Sequence, residues 1–442
     1  MVAQTTDWLG VDFGTSNSAA AFLHQGQVRQ VTWAGADGSA AGTLPTAVFF
    51  DYQSRSMQVG WPAHAALQDG EEGRYMRSLK RVLGTSLMAE NRIIGGKQRN
   101  FFDIISEFLA VLKARAESQS GQVFRHVVAG RPVFFHSHDP ARHQQALADL
   151  RECYRLAGFD KIIFVAEPEA AAVTNRQHLR DNALGMVVDI GGGTSDFTLF
   201  HVPPADPGGA GRAGRNSPAG VEIIASHGAR IGGTDFDSTI NFHAFMPEFG
   251  KGQQLTRLFS TETLTAPNTV FWDLATWEKI PFLYNAQTAR VVAEYRQMAV
   301  NKPPFERLQQ VLERQLGHDL ALLAEHAKIT MNASTAPQIA VDFAALQAGF
   351  QLPLARPEFE RLMQPFQAEI EAAMTATLTL AGQTPDAVSD VVFVGGSSLM
   401  DFITAASHRL LPAATVHRQS IFTSVVDGLA LMSASEPALA AD

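Results

Sequence analysis

Apolar runs interrupted by glycine turns organise this chain. From Trp8 an apolar pattern, WLGVDF, delivers Asp12; Gly14, Thr15, Ser16 and Asn17 follow, and apolar residues return through Phe22. Val187 to Phe200, VVDIGGGTSDFTLF, repeats the plan with Asp189, then Gly191, Gly192, Gly193 and Thr194, and a second carboxylate at Asp196. Each stretch predicts a strand, a tight turn and a returning strand. Glycine turns let peptide N–H groups approach a ligand closely, and a nest of such groups beside carboxylates suits a phosphate chain with a divalent cation. For either stretch alone, a glycine-rich hairpin with incidental acids is the other reading. Two copies predict two like halves, each offering a hairpin to one cleft.

Other elements are placed around these. Leu44 to Phe50 (LPTAVFF) reads as a strand, and RSLKRVLG, Arg77 to Gly84, as a short helical stretch. Lys80 there is either one of several solvated cations or a point charge for a terminal phosphate. Apolar positions Phe101, Ile104, Ile105, Phe108, Val111 and Leu112 follow helical spacing. HVVAGRPVFF, His126 to Phe135, predicts a strand, and Asp139-Pro140 opens a helix through Leu156. KIIFVAEPEAAA then predicts a buried strand with Glu167 at its carboxyl end, where α/β sheets place ligands; a helix-start glutamate is the alternative. Val202 to Gly220 reads as a mobile loop between strands. ARIGGTDFD, Ala229 to Asp237, sets Gly232 and Gly233 before two carboxylates, and the following region to about 355 is mainly helical. In helix Gly317 to Ala333, Glu325 and Lys328 stand one turn apart, as in an exposed ion pair. Asp390 to Ile403 predicts a buried strand, a turn at Gly395-Gly396, and a helix opening at Ser397 and Ser398; Ser424 to Met432 predicts a last helix.

Composition narrows the function classes. Across 442 residues, 46% hydrophobic and 18% charged residues allow several normally packed domains. A net charge of −9 without a basic block argues against nucleic acid or an anionic membrane as partner. Cys153, the single cysteine, sits in a helical pattern and reads as a buried thiol. No signal-peptide pattern or apolar membrane span is evident, which predicts a cytoplasmic protein. His136, His138 and His143 read as surface histidines, not metal ligands.

Taken in order from about Trp8 to Met432, these segments resemble the nucleotide-binding domain of the DnaK-type heat-shock chaperones. That family lies within the actin and sugar-kinase superfamily, and the chain is similar to its short, YegD-like branch. The resemblance implies an α/β fold of two ribonuclease-H-like lobes around a central nucleotide cleft, 1–183 and 184–442, with subdomain insertions at about 35–100 and 234–355. It implies Mg2+ and ATP or ADP as cofactors, with Asp12 and Asp189 beside the metal. Gly14, Thr15, Ser16, Asn17 and the backbone of Gly191 to Thr194 would hold phosphates. Lys80 matches the catalytic lysine, Glu167 with Asp196 falls where the family orients the attacking water, and Thr194 counts with them as catalytic. Gly232, Gly233 and Asp235 match a second-lobe motif; Gly395, Gly396 and Ser397 match the adenosine loop; Glu325 and Lys328 match ribose-side residues.

Two departures accompany the match. Ile329 and Leu399 stand where the family has arginines flanking adenine. The family's hydrophobic linker and β-sandwich peptide-binding domain have no counterpart here, so any chaperone role implies a separate protein partner or client. The resemblance implies a slow ATPase. A nucleotide-sensing binding protein is the alternative, and a small-molecule kinase of the same superfamily is a third reading.

Overall fold

The computed structural model describes residues 7–35, 38–136, 139–204, 221–256, 262–418 and 421–435. His138 and most of the Val202–Gly220 loop lie outside the described residues. By compactness the chain forms two units: residues up to Gly232 together with those from Ala368 on, and Gly233–Gln367.

The first unit holds two principal sheets. One contains β1 (Trp8–Phe13), β2 (Asn17–His24), β3 (Gln27–Gln30), β4 (His126–Arg131) and β5 (Lys161–Ala166) in the order β5-β4-β1-β2-β3. The other contains β6 (Leu184–Ile190), β7 (Ser195–His201), β8 (Glu222–Ala229), β9 (Asp390–Val394) and β10 (Thr415–His417) in the order β10-β9-β6-β7-β8. In both, the leading strand begins an antiparallel meander on one side and pairs in parallel on the other. The repeated sequence pattern therefore corresponds to a repeated topology. In the parallel strands β4 and β9 the apolar stretches Val127–Gly130 and Val391–Val394 are buried, as expected of strands covered on both faces.

Helices fill the space between the strands. α1 (Phe101–Ser120) begins at a capping box of Asn100 and Asp103, and buries Ile104, Ile105, Phe108 and Leu112 on one stripe. α2 (Pro140–Leu156) is capped by Asp139, whose side chain accepts from Arg142 N–H at 3.0 Å. Cys153 on α2 is buried, and burial raises its thiol pKa, so it packs as an inert apolar group. α3 (Glu167–Asn175) follows β5 without a loop. The late helix Ser424–Met432 packs Val426 and Ala430 on Ala19 and Ala21 of β2. It also accepts a hydrogen bond from Gln30 on Asp427 at 2.9 Å, across 397 residues of chain.

The second unit opens with α4 (Gly233–Ile240) and a π-helical turn, and carries α5 (Gly317–Ala333) with two short hairpins. An edge-on pair of Phe245 and Phe343, 5.0 Å between centroids, lies in its core.

Several elements differ from the sequence expectation. The strand starting at His126 stops at Arg131, because Pro132 has no N–H to continue the ladder. Leu44–Phe50 is not one strand: Leu44–Pro45 pairs β2, and Ala47–Asp51 joins a separate three-stranded sheet. Thr46 at the break donates its N–H to Ser16 O at 2.8 Å and shares a 2.8 Å hydroxyl bond with Ser18, which turns the chain. After β9 the chain forms a 3-10 turn at Gly396–Leu399, and the α-helix begins only at Asp401.

Candidate functional site

Both glycine turns open into one pocket. Its walls include Asp12, Gly14, Thr15, Ser16 and Asn17 from the first turn, and Asp189, Gly191, Gly192 and Thr194 from the second. Lys80, Glu167, Gly395 and Gly396 complete the set brought together from the sequence expectation. The parallel strand ends β1, β6 and β9 deliver these residues at one edge, as strand ends do in α/β folds.

The glycine positions are dictated by close approach. A Cβ on Gly192 would collide with Ser16 Oγ, so the two turns touch through backbone and small side chains. Gly395 has φ +78°, and a Cβ there would strike the Ile190 carbonyl. The result is a wall of peptide groups that side chains would otherwise fill.

Lys80 is not a solvated helix cation. Its 3-10 turn, Leu79–Val82, is preceded by Ser78 in the left-handed region (φ 58°, ψ 36°), which swings the side chain inward. The ammonium is buried and lies 2.6 Å from Glu167 Oε1. Burial alone would lower its pKa, but the fields of Glu167 and Asp12 outweigh it and hold the ammonium above its ordinary value. Glu167 occupies the first turn of α3, where the helix dipole favours its negative charge.

Acid dominates the surroundings. Asp189 and Asp196 face each other directly across β6 and β7, an unfavourable like-charge placement. Burial first, then Glu167, pushes Asp12 up to about 7, with Lys80 opposing. The same two causes push Asp196 to about 8, against a hydrogen bond from the Val133 backbone. Asp189 is raised well above the carboxylate range by burial, Glu167, Asp196 and Asp12. One oxygen of Asp196, Oδ1, is buried without a hydrogen-bond partner.

These residues fit a divalent cation with a polyphosphate. Asp12, Glu167, Asp189 and Asp196 surround a single ammonium, and the glycine cradle leaves room for oxygens. Among the described residues no three His, Cys, Asp or Glu side chains are placed to hold a metal by themselves. That suits Mg2+, which keeps waters and shares its coordination with phosphate oxygens.

The remaining expected residues sit elsewhere. Asp196, paired with Asp189 across β6 and β7, is not among the pocket's lining residues, and Gly193 lines a neighbouring cavity. Gly232 rests against the Gly192–Gly193 backbone. Ser397 lies in the 3-10 turn, its carbonyl accepting from Met400 N–H at 3.2 Å. Gly233, Asp235, Glu325 and Lys328 belong to the second unit. Lys328 is no exposed partner of Glu325: it is buried and pairs with Asp237 at 2.8 Å, with Gly233 O at 3.3 Å. His136 is likewise buried, not on the surface, with Nε2 2.9 Å from Leu83 O. The sequence reading missed Thr43, Val394, Ile421, Phe422 and Val425 on the pocket wall. Phe422, 54% exposed at that wall, was the one with a signal: an aromatic in a polar run shortly before the last helix.

The family model described as Hsp70 protein matches residues 88–263 and 305–411, well over half of the chain. The chain belongs to the Hsp70 family. Hsp70 relatives include the chaperone protein HscA of Pectobacterium carotovorum, 24% identical over 416 residues, covering 89% of this chain and 52% of that protein. HscA of Pectobacterium atrosepticum is 25% identical over the same shares. An HscA homolog of Pseudoalteromonas atlantica is 28% identical over 298 residues, 60% of this chain and 43% of that protein. The chain thus spans about half the length of the curated relatives it matches. Hsp70 membership places it in a chaperone-like ATPase family, and its mixed α/β architecture agrees with the actin-like ATPase fold that this family implies. Among the described residues no helix is long and apolar enough to cross a membrane.

Proposed function

We propose that this chain binds Mg-ATP between two ribonuclease-H-like lobes and hydrolyses it to ADP and phosphate, with lobe closure passed to a protein partner or client. The observation that carries this reading is the convergence of both glycine turns, Asp12, Asp189 and the Lys80–Glu167 pair on one pocket. The lobes would be 1–183 and 184–442, with their insertions at about 35–100 and 234–355.

Phosphoryl transfer asks mainly for positioning and charge stabilisation. Peptide N–H groups from Gly14 to Asn17 and Gly191 to Thr194 would cradle the phosphates. Asp12 and Asp189 would hold the cation through its waters. The magnesium ion, when bound, neutralises charge on the phosphate oxygens. Lys80 brings a positive charge to the terminal phosphate, and Glu167 Oε1 fixes its ammonium. Glu167, Asp196 and Thr194 are assigned to orienting water. A carboxylate whose pKa lies near neutrality, as in Asp196, suits acceptance of its proton. Gly395, Gly396 and Ser397 would border the nucleoside, Glu325 and Lys328 are assigned to its ribose side, and Gly232, Gly233 and Asp235 to the second-lobe nucleotide motif.

Exposed aliphatic side chains at Ile329 (54%) and Leu399 (37%) favour a second reading, a nucleotide sensor with negligible turnover. Phosphate release and nucleotide binding, measured with Mg-ATP for wild type and Lys80→Ala, separate the two. The hydrolase reading expects turnover in wild type that Lys80→Ala loses. Tight binding without turnover in either protein selects the sensor, and failure of wild type to bind any nucleoside triphosphate overturns both.

A further inference from the structure

Asp149 is a buried carboxylate to which the chemistry above gives no part. It stands in the second half of α2, where aspartate is a poor helix former, and is 3% exposed. Each of its oxygens accepts one hydrogen bond. Oδ1 accepts from Gln145 Nε2, one turn earlier on α2, at 2.7 Å, and Oδ2 accepts from the Gly84 N–H at 2.8 Å. Both donors are neutral. A buried carboxylate held only by neutral donors costs stability, and asparagine facing the same glutamine could make two bonds without a charge. Core packing therefore does not account for this side chain. What it holds is the segment that carries Lys80.

Gly84 ends that segment. The 3-10 turn Leu79–Val82 follows the left-handed Ser78, and Gly84 is left-handed again at φ +74°. A Cβ on Gly84 would lie 2.5 Å from the Arg142 carbonyl, so the turn and the α2 backbone meet with no side chain between them. Gly84 O accepts from Arg142 Nε at 3.4 Å, and the neighbouring Leu83 O lies 2.9 Å from His136 Nε2. Bonds inside the segment tie its two ends together. Leu83 N–H donates to Lys80 O at 3.4 Å, and the Thr85 hydroxyl donates to Val82 O at 2.6 Å. Movement of Gly84 away from α2 is thus passed to the Lys80 backbone.

We propose that Asp149 is a positioning residue for Lys80: by fastening the Gly84 N–H to α2, it sets how far the ammonium reaches toward Glu167 and the pocket. Its effect on turnover rests on the hydrolase reading above; the placement of Lys80 does not. A displacement of about 1 Å at a reacting group can cost on the order of a hundredfold in rate.

Placement is measured on the purified chain without nucleotide. Acetylation of Lys80 by a small amine reagent is followed by mass spectrometry, with exposed Lys97 as reference and alkylation of buried Cys153, one turn further along α2, as the control for general opening. Lys80 should be protected in wild type and Asp149→Asn, and should react at least about tenfold faster in Asp149→Ala while Cys153 does not change. In single turnovers with Mg-ATP, Asp149→Ala should cleave at least about tenfold more slowly with nucleotide affinity within about twofold of wild type, and Asp149→Asn should restore the rate. Wild-type protection of Lys80 in Asp149→Ala overturns the proposal, as does an equal rise at Lys80 and Cys153. Circular dichroism verifies folding. Should Asp149→Ala not fold, hydrogen exchange of wild type decides: the Gly84 amide should be as protected as the amides of β1, and exchange as fast as in an exposed turn overturns the clamp. Absence of turnover in wild type overturns the hydrolase reading instead, and the labelling still decides the placement.

Discussion

Replacing Asp196 by asparagine should make the ligand-free protein more stable, and by an amount that grows with pH. In the fold this carboxyl keeps its proton up to about 8, against an ordinary value of 3.8, because it is buried and close to Glu167. The unfolded chain ionises it near the ordinary value, so the unfolded state is favoured progressively as pH rises through the interval between the two. Asparagine keeps the shape and an acceptor for the Val133 N–H but does not titrate. Its advantage should therefore be near zero at pH 4, increase toward pH 8 and level off above. At about 1.36 kcal/mol for each pH unit, the full interval corresponds to on the order of 5 kcal/mol, an upper bound since internal water and relaxation reduce it. Urea unfolding of both proteins in chelator at pH 5 and pH 8.5 should show a gap that widens by on the order of 3 kcal/mol. A gap that is constant with pH, or narrows, refutes the raised pKa and with it the picture of an acid-overloaded pocket. On the hydrolase reading the same variant loses turnover, so stability and activity should move in opposite directions.

Lys328→Ala removes the ammonium paired with Asp237, 2.8 Å away in a pair whose side chains are 7% and 3% exposed. A loss of about 3–5 kcal/mol in urea unfolding is expected, whereas a change under about 1 kcal/mol would count against a buried charged pair. Phe422 offers an exposed ring on the pocket wall beside Gly396. Stacking on any base would make Phe422→Ala weaken ATP and GTP alike, by about 1–3 kcal/mol each, while tripolyphosphate binding stays unchanged; equal loss for tripolyphosphate would point to a structural defect instead.

The glycine-turn wall of the pocket was legible because its elements announce themselves locally. Asp12 and Asp189 end apolar runs, and the glycines that follow have few other uses, so strand, turn and return strand could be placed from residue order alone. Glu167 was legible for a similar reason: Pro168 marks a helix start just after a buried strand. Lys80 and Lys328 were not, because each is decided by a distant partner. The Lys80 pattern is too short to show a face, and the left-handed Ser78 that turns it inward carries no sequence mark. Lys328 has a plausible neighbour one turn away on its own helix, yet it is taken by Asp237 from another element. Thr43 and Val425 were hidden because their place on the pocket wall comes only from how distant parts of the chain pack. Pro132 was visible in the sequence, and the early end of its strand followed from its missing N–H.

The helix Ser424–Met432 imposes an order on how this protein is made. It covers β2 and ties down Gln30, nearly four hundred residues upstream, so the first sheet stays uncovered on that side until nearly the whole chain has left the ribosome. Contacts of such sequence separation slow folding and prolong exposure of unfinished surfaces. Ribosome-stalled chains ending before Ser424 should therefore remain open to protease through β1–β3, and resistance of those strands in such chains would show that the first sheet closes without its last helix.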